Sequence, residues 1–176
     1  MTDSRADVAD ARPEVPLLGQ GLTWEKMTEG TSFRTASRTV TESDLMSFVN
    51  LAGFNEPLFY DAGHAAGGGY TGRLVPGALV YALGEGLILQ TNVLHGTGLA
   101  FMHMEYTVKA PTYVGDTLHV VVTTTHTRPS SRPGRGVVTS RCSIINQHGT
   151  EVAVFTPVRL IRGQDFEETR GSNVTV

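Results

Sequence analysis

The chain has 176 residues, 40% hydrophobic and 18% charged, enough for one ordinary domain whose core needs no metal or disulfide to hold it. Fourteen Lys and Arg against 17 Asp and Glu leave a formal net charge of −3, which argues against a general nucleic-acid surface. Cys142 is the only cysteine, so an internal disulfide is excluded, and no Cys/His set has zinc spacing.

Residues 1–16 carry charges, Ala and two prolines without apolar periodicity, and read as a disordered arm. They lack the apolar stretch of a signal peptide. The end of the chain, 163–176, is a similarly polar tail, which leaves 17–162 as the folded domain. The longest apolar stretch, Leu74–Val93, is interrupted by Gly84, Glu85 and Gly86 and is no membrane span. The expected setting is the cytoplasm, with neither membrane nor nucleic acid as a partner.

Ser32–Val40 reads as a strand rich in Thr, Ser and Arg. Thr41-Glu42-Ser43-Asp44 follows as a capping box with the shorter acid. Leu45, Phe48, Val49 and Ala52 then fall at i, i+3, i+4 and i+7, so a helix over 42–52 is predicted, stopped by Gly53. A loop, Phe54–Tyr60, leads to a short segment from Asp61 to Ala66. Asp61 is a good N-cap for it. Gly67-Gly68-Gly69 makes a turn, not a phosphate loop, since no Lys-Ser/Thr follows at the right spacing.

Pro76-Gly77 opens a helix predicted over 78–92. It is apolar on nearly every face, and such a helix is buried. Gly84 and Gly86 each cost about 1 kcal/mol relative to Ala, so close backbone packing is expected at both. The remainder reads as strands: 99–108, 117–128, 136–146 and 151–162, the last two joined by a hairpin loop at Asn146-Gln147-His148-Gly149. Pro157 inside the last run implies an edge position or a bulge. One long buried helix followed by antiparallel strands is an α+β arrangement, and the order matches a single hotdog fold, a sheet wrapped around a helix.

These residues resemble the MaoC-like dehydratases, the (R)-specific enoyl-CoA hydratases. Their motif Gly-Asp-x-Asn-Pro-aliphatic-His is met without a gap by Gly53-Phe54-Asn55-Glu56-Pro57-Leu58-Phe59. Gly72–Leu79 is similar to the family's entry to its central helix, and Ala110–Leu118 to its strand-loop signature. Gly136-Val137-Val138 and Asn146–Val152 continue the likeness, which covers roughly 30–162. The resemblance implies an acyl thioester of CoA or an acyl carrier protein as substrate, reversible hydration of a 2-enoyl group as the reaction, and no further cofactor or metal. It also implies a homodimer or higher hotdog oligomer, with sheets joined edge to edge because an open edge strand is otherwise a liability.

The likeness breaks at the chemistry. The family's Asp and His stand at Phe54 and Phe59, which neither donate, accept nor titrate. Gly77 aligns with the glycine whose amide polarises the thioester carbonyl, a role that survives side-chain change. Glu56 is the candidate acid–base residue, with Asn55 or Tyr60 orienting the water; its structural reading is a loop carboxylate that caps a segment. Phe54, Phe59 and Tyr60 are expected to line the acyl pocket, and Arg132 and Arg135 to meet the phosphates of the carrier. Asp116 is expected to close a turn, and Cys142 to be a small buried hydrophobe. Two other readings stand beside the hydratase. One is a non-catalytic hotdog that binds acyl thioesters, as a subunit of a heterodimer with an active relative. The other is a thioesterase, for which Glu85 is the only carboxylate in the central helix.

Overall fold

A computed structural model describes residues 19–167. The expected arm at 1–16 and the end of the expected tail lie outside the described residues. Six strands and four helices follow a 3-10 turn at Trp24–Lys26: β1 (Ser32–Arg34), β2 (Arg38–Thr39), α1 (Glu42–Ala52), α2 (Pro57–Tyr60), α3 (Ala62–Gly67), α4 (Gly77–Gln90), β3 (Gly98–Val108), β4 (Thr117–Pro129), β5 (Arg135–Ile145) and β6 (Glu151–Arg162).

The local signals act as the sequence predicts. In α1 the Thr41 hydroxyl accepts from the Asp44 amide while the Asp44 carboxylate accepts from the Thr41 amide, at 3.2 and 2.9 Å. Such a cap is worth about 1 kcal/mol. Gly53 ends the helix at φ 68°, a left-handed position where glycine carries no Cβ penalty. The Asp61 side chain accepts from the amides of Gly63 and His64 and so caps α3.

All strand pairings are antiparallel, in the order β1-β4-β5-β6-β3, with β2 also on β4. The predicted strand over 32–40 is two short strands. Thr35 holds the chain to β4 between them: its amide donates to the Val120 carbonyl and its hydroxyl accepts from the Val120 amide. Pro157 is not on an edge strand, because β6 runs between β5 and β3. The sheet accommodates it with an irregularity in β3 between Phe101 and His103, and by leaving the β5–β6 ladder open between Thr139↔Val158 and Cys142↔Phe155.

One face of this sheet packs on α4. Leu79, Val80, Leu87 and Ile88 are buried against Leu118, Val120, Val122, Cys142, Ile144, Val152, Ala153 and Phe155. This is the α+β hotdog arrangement. The contact is close at Gly84, where a Cβ would stand 2.6 Å from Ile144 Cδ1. Gly86 differs from expectation: a Cβ there meets nothing within 4 Å. The helix ends two residues early, at Gln90, because the Thr91 hydroxyl bonds the Ile88 carbonyl and Asn92 turns left-handed at φ 60°. The single carboxylate of α4, Glu85, is paired with Arg159 at 2.6 Å, and both side chains are largely buried.

The two glycines make a paired test. Gly84→Leu should destabilise the fold by about 1–3 kcal/mol through overpacking against Ile144. Gly86→Ala should stabilise it by up to about 1 kcal/mol through helix propensity alone. Thermal unfolding of the two variants measures both, and equal effects would contradict the packing described here.

Candidate functional site

Pro76 is the N-cap of α4 and Gly77 its first residue. The amides of Leu79 and Val80 both donate to the Pro76 carbonyl, at 2.9 and 3.1 Å. Those of Gly77 and Ala78 have no carbonyl within the helix to pair with, and they carry the positive end of the helix dipole. The Tyr106 hydroxyl, reaching from β3, donates to the Gly77 carbonyl at 2.8 Å and pins this first turn. Burial pushes the Tyr106 phenol up to about 12, so it stays protonated as that donor. A side chain at 77 would meet Val108 Cγ2 at 2.9 Å, which explains why a glycine stands here.

A cleft of about 340 Å³ opens at this helix end. Phe59, Tyr70, Val80, Val108 and Val152 form much of its wall, with Lys109 and Thr112 as further polar members beside Gly77. No carboxylate and no imidazole is among its lining residues, whose titratable side chains are Tyr70 and Lys109.

Of the residues singled out in the sequence, Phe59 and Gly77 meet in this cleft. Phe54 stands one layer behind, its ring 6.1 Å from Phe59 and 5.1 Å from Phe48. Glu56, Asn55 and Tyr60 are exposed and do not line it. The reason is local. Pro57 starts α2 at its first position, and that turn carries Leu58 and Phe59 inward while Asn55, Glu56 and Tyr60 are left outside. Glu56 is the N-cap residue of α2, yet its side chain makes no cap hydrogen bond.

Arg132 and Arg135 are elsewhere too. Arg135 pairs with Arg162 at the far end of the β5–β6 ladder, about 33 Å of strand from Val152 at the cleft. They border a separate hollow with Asp165 and Glu167, and the Arg135 guanidinium lies 5.0 Å from the Phe166 ring. The cation at the cleft is instead Lys109, which sequence reasoning passed over although it is one of only two lysines. Lys109 is bonded to Glu151, and Glu151 in turn to Arg141 at 2.7 Å. The Lys109 ammonium, helped by Ser143 and Arg141, brings the Glu151 carboxyl down to about 2 against the cost of its desolvation. Asp116 is a turn residue as expected, accepting from the Tyr113 amide and the Gln147 side chain. Cys142 is fully buried, which pushes its thiol up to about 12.

The hotdog fold with its central helix is shared with solved MaoC-like dehydratases and (R)-hydratases. The family model for the FAS1-like dehydratase domain region matches residues 27–155, and the chain is a member of that family. Over 80 residues it is 32% identical to a tomato (Solanum lycopersicum) protein, the mitochondrial 3-hydroxyacyl-(acyl-carrier-protein) dehydratase FERN. That match spans 46% of this chain and 46% of the relative, just under half of each. The MaoC-like dehydratase of Rhodospirillum rubrum superposes with a TM-score of 0.73 at 26% identity, over 83% of this chain and 100% of that one. A double-hotdog protein of Mycobacterium tuberculosis shares the fold, with a TM-score of 0.74 at 18% identity; 92% of this chain covers 53% of that one. Among the described residues no helix is long and apolar enough to cross a membrane.

Two titrations follow from the site. The Glu151 carboxyl is depressed on folding, so its contribution is complete above about pH 4.5 and is lost as pH falls towards 2. Glu151→Gln should therefore flatten the fall of Tm across that window, measured by circular dichroism. Cys142 should resist thiol reagents at pH 8 in the native protein and react at once in denaturant.

Proposed function

We propose that this chain is the acyl-thioester-receiving hotdog of a 3-hydroxyacyl-thioester dehydratase, and that the acid–base groups come from a second hotdog chain beside it. The observation that carries this reading is the cleft itself. It offers unpaired helix amides to a carbonyl oxygen and largely apolar walls to an acyl chain, but its lining residues include no carboxylate and no imidazole.

The reaction explains the division. Hydration puts the oxygen of water on the β-carbon of a 2-enoyl thioester and a proton on the α-carbon. Negative charge gathers on the thioester oxygen on the way. The amides of Gly77 and Ala78 are placed for that oxygen, where fixed donors in a dry site contribute most. The water needs a base, and the α-carbon an acid. By resemblance these belong at Phe54 and Phe59, which supply neither, and the exposed Glu56 is outside the cleft. The carrier, CoA or an acyl carrier protein, would lie along the mouth, where Lys109 offers a cation to phosphate oxygens.

The open edge of the sheet supports a second hotdog. Strand β3 is eleven residues long, is bonded on one side only by β6, and exposes Phe101, Met102 and Val108. An edge of that length is a template for another strand. The coverage of about half of a double-hotdog chain agrees with a unit built of two such domains. The thioesterase reading loses its support, since Glu85 is held in an ion pair by Arg159.

The purified chain should bind crotonyl-CoA by calorimetry and show no turnover, read as loss of enoyl absorbance. Phe54→Asp with Phe59→His should bring turnover into the measurable range, since positioned acid–base groups contribute about 10²–10⁴-fold. Turnover by the unmodified chain that Glu56→Gln abolishes would return the acid–base role to Glu56 and overturn the division of labour.

A further inference from the structure

We infer that the hydroxyl of Thr112 is the second hydrogen-bond donor to the thioester carbonyl, acting beside the free amides at the start of α4. The inference rests on the acyl-thioester reading above and assigns a residue to it.

Thr112 is 3% exposed. Among the described residues its hydroxyl has no hydrogen-bond partner, although Thr112 lines the same cleft as Gly77. The fully buried hydroxyls without a partner are those of Thr23 and Thr97; the Thr112 side chain is enclosed but its hydroxyl is not sealed off, so a molecule in the cleft can reach it. A polar atom of this kind in an otherwise apolar wall marks the place where a ligand brings its own polar atom.

The segment around Thr112 is rigid. Its carbonyl accepts from the Val75 amide at 2.9 Å, which ties it to the residue just before Pro76 and Gly77. One residue on, the Tyr113 amide is held by the Asp116 carboxylate at 2.8 Å. The helix start and the Thr112 hydroxyl are thus fixed to each other through a backbone bond, not through mobile side chains. Donors held in this way need no reorganisation as charge develops.

The chemistry of the donors selects the acceptor. A carbonyl oxygen has two lone pairs and accepts two bonds, one from a helix amide and one from a hydroxyl. A phosphate would call for cations, and the cation of the cleft is Lys109, which is already paired with Glu151. Tyr70 is the remaining hydroxyl of the wall, but no backbone bond ties it to the turn that presents Gly77.

The test separates the carbonyl from the rest of the ligand. Binding of crotonyl-CoA and of its thioether analogue S-butyl-CoA, which has no carbonyl, is measured by calorimetry for the wild type, Thr112→Val and Thr112→Ser. Thr112→Val keeps the shape and removes the donor. It should weaken crotonyl-CoA about tenfold, leave S-butyl-CoA unchanged, and move the infrared stretch of bound, carbonyl-labelled crotonyl-CoA to higher frequency. Thr112→Ser should behave as the wild type. Unchanged S-butyl-CoA binding also shows that the variant is folded; should Thr112→Val not fold, Thr112→Ala gives the same contrast. Equal weakening of both ligands, or no change in either, overturns the role of Thr112 while the acyl-thioester reading stands. Failure of the wild type to bind either compound overturns the reading and the inference together.

Discussion

Helix α4 has no continuous polar face, and the sheet takes one side of it out of water while Ala78, Ala82 and Leu89 stay exposed on the other. Burying one Leu, Ile or Val is worth about 1.5–3 kcal/mol, and Leu79, Val80, Leu87 and Ile88 are all buried together against the sheet. Gly84 lets the helix come close enough for Ile144 and Val120 to fill the gap. A helix so packed is rigid, and its N-terminal amides are consequently fixed in space. That is the property a carbonyl-binding site requires.

Burial on the sheet side has a second consequence, for charge. Glu85 is the one ionisable carboxylate in this helix, and it sits with Arg159 of β6 in a pair that little solvent reaches. Removing either partner would leave the other buried and uncompensated, which is far worse than removing both. Arg159 also lies 5.3 Å from the ring of Phe101 on the open edge strand. The same pair thus ties the helix to the open edge strand.

The cleft is built from backbone as much as from side chains. Backbone donors at a helix start do not depend on side chains, so Gly77 keeps its place whatever stands at 54 and 59. The aromatic rings at those positions join Phe48 in a row of tilted contacts, of which Phe59 alone reaches the cleft. What remains is a site suited to holding an acyl thioester, beside an edge suited to a partner.

The sequence by itself determined the elements: the capping box of α1, the Asp61 cap, the start of α4 at Pro76-Gly77, and the strands after it. Each of these is settled by residues within a few positions of one another, so spacing and turn chemistry reveal them. The resemblance added the fold and placed Gly77 and Phe59 in one site. Tertiary structure alone decided which neighbours share the cleft, because Lys109, Thr112 and Val152 arrive there from positions 32, 35 and 75 residues beyond Gly77 in the chain. It also decided that Glu56 faces outward, since the direction of a loop carboxylate depends on how the turn at Pro57 packs. Pro157 sits inside the sheet and Arg132 and Arg135 stand at its far end for the same reason: strand order and register are set by long-range pairing, which no local pattern specifies.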